Sequence, residues 1–77
     1  MISLLTVPIG KRARLASVSR GLRSRLRQYG LHIGDEVRVL RSAPLGGPLL
    51  IEVDDREMAL GGVLAEKILV ELICESR

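Results

Sequence analysis

The chain has 77 residues, which is enough for one small domain over residues 1–77 with a net stability of a few kcal/mol. Hydrophobic residues make up 47% of it, which excludes wholesale disorder, and Tyr29 is the one aromatic residue, so the core must be aliphatic. The formal net charge is +3, and no stretch free of charged residues is long enough to span a bilayer.

The charges are distributed unevenly along the chain. Residues 1–41 carry nine basic and two acidic residues, a net +7, whereas residues 42–77 carry three basic and seven acidic residues, a net −4. This asymmetry predicts a polarised surface, which would steer the encounter with a charged partner and would favour weak self-association.

The first predicted elements are a short apolar segment, a turn and a strand. Ser3–Pro8 is apolar, and Pro8-Ile9-Gly10 is typical of a turn. Lys11–Val18 follows, with Ala13 and Leu15 between polar or small neighbours. This alternation predicts the first full-length strand.

A short helix is predicted over Gly21–Tyr29. Ser19 is a residue type that caps helices, and Gly30 is placed where a helix-ending glycine belongs. The helix is too short to form in isolation, so its apolar face must dock on a sheet. That face holds side chains at helical spacing: Leu22, Leu26 and Tyr29.

The central segment predicts a β-hairpin with a rigid and unusually apolar loop. Glu36–Val39 alternates as a strand, and Leu49–Val53 resumes as its partner. The intervening Ala43–Pro48 can continue neither a ladder nor a helix, because its prolines lack amide donors and its glycines permit positive φ. Leu45 is at the tip, where a solvated turn is normally polar. Two interpretations stay open: Leu45 docks on a partner, or it folds back over the mouth of a small barrel formed by the predicted strands.

The remaining chain predicts a turn, two strands and a connection between them. Asp54-Asp55 indicates a tight turn before a strand at Arg56–Leu60. Gly61-Gly62 breaks that strand, and Val63–Lys67 can form a helical turn before a last strand at Ile68–Ile73. Ile68, Val70 and Leu72 are expected to share one face of the last strand, with Leu69, Glu71 and Ile73 on the other. About five strands and one helix between the first two predict a mainly β fold, a small barrel.

The inventory of reactive side chains disfavours catalysis. Cys74 is the one cysteine, so no internal disulfide can form, and with no signal peptide expected we assign a reducing, cytoplasmic location. His32 and Cys74 are too few for a closed zinc site. No nucleophile and base stand in a familiar pattern, so we expect no enzyme activity and no cofactor.

The helix also carries a basic set, and three interpretations of it remain open. Its members are Arg20, Arg23, Arg25 and Arg27. They form a solvated face, a protein-docking face or a phosphate-binding face. The last is weakened because single-strand binding uses aromatic stacking platforms, and Tyr29 is expected to face the core.

Three segments together resemble one family, FeoA, over about residues 3–72. They are Arg25-Leu26-Arg27-Gln28-Tyr29-Gly30-Leu31-x-x-Gly34, then Ala43-Pro44-Leu45-Gly46-Gly47-Pro48, then Met58-Ala59-Leu60 with Ala65 ahead of Ile68–Val70. Two positions depart from the family's pattern. Gly61 stands where the family has Arg after its Ala-Leu pair, and Leu64 stands where a carboxylate precedes the later Ala.

The resemblance implies an SH3-like barrel with an accessory role in bacterial ferrous iron uptake. The expected partner is the cytoplasmic, GTP-binding part of the FeoB membrane transporter, with no direct membrane insertion. The predicted partner-binding residues are Pro44, Leu45, Gly46, Gly47 and Pro48 at the loop, with Arg23 and Arg27 as steering charges. A basic nucleic-acid-binding barrel is the alternative function. A third is a metal sensor in which His32, Cys74 and carboxylates meet across an oligomer interface.

Overall fold

A computed structural model of the chain describes residues 1–74. It contains eight regular elements, named here in chain order: β1 (Ile2–Ser3), β2 (Arg12–Val18), α1 (Arg23–Gln28), β3 (Glu36–Ser42), β4 (Leu49–Val53), β5 (Arg56–Leu60), α2 (Gly62–Glu66) and β6 (Ile68–Leu72). Single turns of 3-10 helix at Leu4–Thr6 and Arg20–Leu22 precede β2 and α1. The predicted order of strands and helix is therefore confirmed.

All strands join one antiparallel sheet in the order β1-β6-β2-β3-β4-β5. The prediction of about five strands missed β1, whose two residues pair with Val70 and Leu69 of β6 and cover its outer edge. Within residues 1–74, β1 and β5 each have one strand neighbour, and α2 carries the chain from β5 back to β6. The Ser3 hydroxyl donates a 2.8 Å hydrogen bond to the carbonyl of Glu66, which ties the start of the chain to the end of α2.

The buried core is entirely aliphatic. Its fully buried large side chains are Leu4, Leu15, Leu26, Leu31, Leu49, Ile51, Leu60 and Ile68, together with Val37, Val39, Val53 and Val70. Those on β2, β3, β4 and β6 occupy alternate positions along the strands, as the period of two requires, whereas Leu4, Leu26 and Leu31 come from the helical turns and a loop. Leu72 follows Ile68 and Val70 on β6 but differs from them in burial, since it is 51% exposed.

Helix α1 ends as the sequence predicts but begins differently. Gly30 has φ +80°, its amide donates to the carbonyl of Arg27, and the amide of Leu31 donates to the carbonyl of Leu26. These two bonds form a Schellman motif. Ser19, by contrast, makes no side-chain capping bond, because the chain enters α1 through a 3-10 turn in which only its carbonyl accepts from Leu22.

The turn between β4 and β5 has the predicted position and an unusual conformation. Asp54 and Asp55 have φ values of +52° and +64°, and Val53 pairs with Arg56 across them. Positive φ at both central positions of a two-residue loop is typical of a type I′ turn, whose twist matches that of the flanking strands.

Candidate functional site

The loop between β3 and β4 holds Leu45 fully in solvent. We call residues Ala43–Pro48 the Leu45 tip. The amide of Gly47 donates to the carbonyl of Pro44 at 3.2 Å, which closes a turn around Leu45 and Gly46. The Leu45 side chain is as exposed as in an extended chain, at 103%. The interpretation in which Leu45 folds back over the barrel mouth is therefore wrong.

Leu45 also occupies a backbone conformation that costs free energy. Its φ is +59°, in the left-handed region that ordinary side chains avoid at a cost of about 1–2 kcal/mol. Exposure of a large apolar side chain adds a second unfavourable feature at the same residue. Leu45 therefore combines backbone strain with full exposure of a large apolar side chain, and strained residues of this kind cluster at functional sites.

The Leu45 tip is held outward by a backbone contact with the start of α2. Gly62 lies so close to the tip that a Cβ on it would overlap the carbonyl oxygen of Gly46 and come within 2.9 Å of the carbonyl oxygen of Gly47. Only glycine fits such an approach. The Gly61-Gly62 pair, which the sequence analysis treats as a strand breaker, therefore also positions the tip.

A groove of about 260 Å³ runs beside the tip, and we call it the tip groove. It is lined by Leu22, Arg25 and Tyr29 near α1, by Gly46 of the tip, by Gly61–Leu64 and by Lys67. Val63 in this lining is 70% exposed. The groove joins the Leu45 tip to one flank of α1, and it gives an incoming side chain both apolar and cationic neighbours.

Arg23 and Arg27 lie on the other flank of α1. They line a separate depression of about 160 Å³, which we call the Arg23 cleft; its lining residues are Arg23, Leu26, Arg27, Leu31, His32 and Ile33. The structure thus does not bring these two arginines into a common cavity with Leu45. The predicted loop residues and steering charges form two surfaces, with α1 between them.

In the described part of the chain, some basic residues of the sheet have acidic neighbours, whereas those of α1 do not. Arg14 is 3.1 Å from Glu36, Arg12 is 3.7 Å from the same carboxylate, and Arg38 lies opposite Glu52. No ion pair within residues 1–74 involves the four arginines of the helical segment: Arg20, Arg23, Arg25 and Arg27. These four arginines therefore concentrate positive charge on α1 and its preceding turn.

The metal-sensor residues lie apart from one another. His32 is 64% exposed; its amide donates to Asp35 Oδ2 at 2.8 Å, and its Nδ1 lies 3.8 Å from the same oxygen. Cys74 is exposed at the end of the described chain. Over residues 1–74, no three His, Cys, Asp or Glu side chains gather where they could hold a metal ion.

Sequence analysis missed two features of these surfaces. The close contact of Gly62 depends on how α2 approaches the tip, which no local pattern encodes. The wall of the Arg23 cleft formed by His32 and Ile33 also went unrecognised. Its signal is present in the sequence, since Gly34 stands where a type II turn needs a glycine.

The curled antiparallel sheet, with a short helix after its first full-length strand, defines an SH3-like domain. Residues 2–72 match the family model of the FeoA domain. The match spans nearly the whole chain, and the chain belongs to the FeoA family. The resemblance drawn from the three segments is confirmed.

Solved structures agree with this assignment. An iron uptake regulatory protein (FeoA) is 28% identical, with a TM-score of 0.81 over 94% of this chain and 96% of its own. FeoA from Chlorobium tepidum is 31% identical, with a TM-score of 0.81 over 99% of this chain and 74% of its own. ScaR with bound Zn2+ is 28% identical, with a TM-score of 0.82, but this chain covers only 37% of it. No curated protein sequence matches the chain.

None of the helices within residues 1–74 combines the length and the apolar character that crossing a bilayer requires.

Proposed function

We propose that this domain is a non-enzymatic adaptor of bacterial ferrous iron uptake, which docks in the cytoplasm on the GTP-binding part of the FeoB transporter. Membership of the FeoA family supports the link to iron transport. The observation that carries the docking proposal is the conformation of Leu45, which is exposed, strained and held outward.

Docking through Leu45 would stabilise a complex, because the side chain is exposed in the isolated domain and would be buried in the partner. Full burial of a leucine side chain in a partner is worth about 1.5–3 kcal/mol. The tip is already ordered by its own hydrogen bonds and by Gly62, so little additional entropy is lost on binding. Pro44 and Pro48 lie within the tip on either side of Leu45 and restrict its backbone further.

The test is binding of the purified domain to the soluble cytoplasmic part of FeoB, with and without guanine nucleotide, at two salt concentrations. We expect binding that Leu45→Asn weakens by about tenfold or more at both salt concentrations, since Asn keeps the turn but removes the apolar contact. Ile9→Asn is the matched control, because Ile9 is an exposed apolar residue in a different turn. Absence of binding in every condition, or equal losses for both variants, would overturn the proposal.

Nucleic-acid binding remains the alternative prediction for the basic α1 surface. Tyr29 packs partly buried against the core, so no free aromatic platform is offered to a base by the chain's one aromatic residue. The same domain titrated with single-stranded RNA at low salt tests this directly. Binding that falls steeply with salt would favour the alternative.

A further inference from the structure

The Arg23 cleft has an apolar floor and one cationic wall. Its floor is formed by Leu26 and Leu31, both at most 2% exposed, which are the two positions that the Schellman motif at the end of α1 brings together. Arg23 and Arg27 are four residues apart on α1, so their side chains emerge on the same flank of the helix. One wall of the cleft is therefore cationic and the floor is aliphatic.

The opposite wall is a rigid turn. The amide of Asp35 donates to the carbonyl of His32 at 3.0 Å, and Gly34 has φ +99°, as the third position of a type II turn requires. The carboxylate of Asp35 accepts from the amide of His32, and Gly34 donates to Leu15 of β2. This places Ile33 at the rim, where it is 44% exposed. The wall formed by this turn is thus ordered before any ligand arrives.

Arg23 and Arg27 have no acidic partner within residues 1–74, and the Asp35 carboxylate at the opposite wall is bound to the amide of His32. Residues 19–34 contain four arginines and no carboxylate. Arg14 on the sheet, by comparison, is matched by Glu36. Arginine binds carboxylates through paired hydrogen bonds, so an acidic ligand is the complementary one.

The size of the cleft limits what it can hold. Pockets for cofactors and other small molecules usually enclose about 300–1,000 Å³. The Arg23 cleft encloses about 160 Å³ and is open to solvent along its rim. That space suits one side chain of a larger partner, not a complete small ligand.

We propose that the Arg23 cleft binds an acidic peptide segment that inserts one aliphatic side chain between Ile33 and α1 while its flanking carboxylates meet Arg23 and Arg27. This is a second contact surface, across α1 from the Leu45 tip. The inference rests on the proposed function only for the source of the segment, which is the cytoplasmic part of FeoB.

The direct test uses a synthetic peptide with a central leucine between two glutamates on each side. We expect it to shift the amide NMR signals of Leu26, Leu31 and Ile33 in the isolated domain. Two matched peptides separate the contributions, one with serine for the leucine and one with lysine for every glutamate. Binding by the serine peptide that equals that of the leucine peptide would overturn the proposal, as would binding by the lysine peptide.

Variants of the domain then locate the contact. Arg23→Glu and Arg25→Glu make the same charge change on α1, but only the first lies in the cleft. We expect Arg23→Glu and Ile33→Ser to weaken the leucine peptide by about tenfold, and Arg25→Glu by about threefold or less. Equal losses for Arg23→Glu and Arg25→Glu would show long-range attraction alone and would overturn the proposal.

The same variants separate this inference from the docking proposal. If FeoB binds and Leu45→Asn weakens it, but Arg23→Glu and Ile33→Ser leave both FeoB and the peptide unaffected, the cleft proposal fails and the adaptor role stands. If the leucine peptide binds in the cleft but FeoB does not bind at all, the adaptor role fails and the acidic ligand comes from another protein. The cleft proposal would also be overturned if RNA of any sequence displaced the peptide and the central leucine made no difference to this competition.

Discussion

Gly62 and Gly46 touch through their backbones, with no side chain between them, where the start of α2 meets the Leu45 tip. A Cβ on Gly62 would overlap the Gly46 carbonyl. The position of the exposed leucine therefore depends on a residue seventeen positions later in the chain, in a different element.

Gly62→Ala is expected to lower the free energy of unfolding by about 1–3 kcal/mol, because the tip or α2 must shift to admit the methyl group. Urea denaturation followed by circular dichroism measures this change. Gly61→Ala is the matched control: no atom lies within 4 Å of its Cβ position, and its φ of −59° suits any residue. We expect that control to stay within about 0.5 kcal/mol of the parent, and comparable losses for both would contradict the contact.

Leu45→Asn is expected to raise the free energy of unfolding by up to about 1 kcal/mol, since Asn tolerates the left-handed conformation better than Leu. Leu45→Val should lower it, because β-branched residues fit that conformation worst. The opposite signs are measured by the same urea titrations. Two variants that change stability in the same direction would argue against strain at the tip.

The turn at Asp54-Asp55 can be stabilised by residues that prefer its backbone conformation. Replacing the pair by Asn-Gly, as Asp54→Asn with Asp55→Gly, should raise the free energy of unfolding by about 0.5–1 kcal/mol, because this pair is preferred in type I′ turns. Asp55→Val tests the converse, since φ +64° is unfavourable for a branched side chain. A melting temperature that Asp55→Val leaves unchanged would contradict the turn assignment.

Leu26 anchors α1 and also forms the floor of the Arg23 cleft. Leu26→Ala is expected to lower the free energy of unfolding by about 2–5 kcal/mol, which would leave so small a domain largely unfolded. Leu22→Ala should cost less, because Leu22 is only half-buried. Chemical denaturation of both variants ranks them, and a larger loss for Leu22→Ala would contradict the packing described.

Most of the fold follows from local pattern. The alternation of small and branched residues places β2, β3 and β4, and Gly30 and Asp54-Asp55 mark their turns from residue type alone. Strand β1 could not be predicted in this way, since two residues carry no period and the pairing comes from Val70 and Leu69 at the other end of the chain.

The same distinction between local pattern and long-range contact applies to the candidate surfaces. The sequence singles out Leu45 because an apolar tip is unusual between Pro and Gly residues, and it singles out Arg23 and Arg27 because they fall off the apolar face of α1. It does not say whether Leu45 points outward or inward, since that depends on Gly62. Nor does it show that Ile33 lines a cleft with α1, since the turn that carries Ile33 is placed by the bond from Gly34 to Leu15 of β2.

Tyr29 is half-buried where α1, the Leu45 tip and α2 converge, and the chain has no other aromatic residue. The domain therefore contains one intrinsic fluorophore, placed in the tip groove and absent from the lining of the Arg23 cleft. A ligand that settles in the groove alters the surroundings of the phenol ring, whereas one that enters the cleft leaves its emission nearly constant. Ultraviolet spectroscopy of the unlabelled protein can thus tell which side of α1 is occupied.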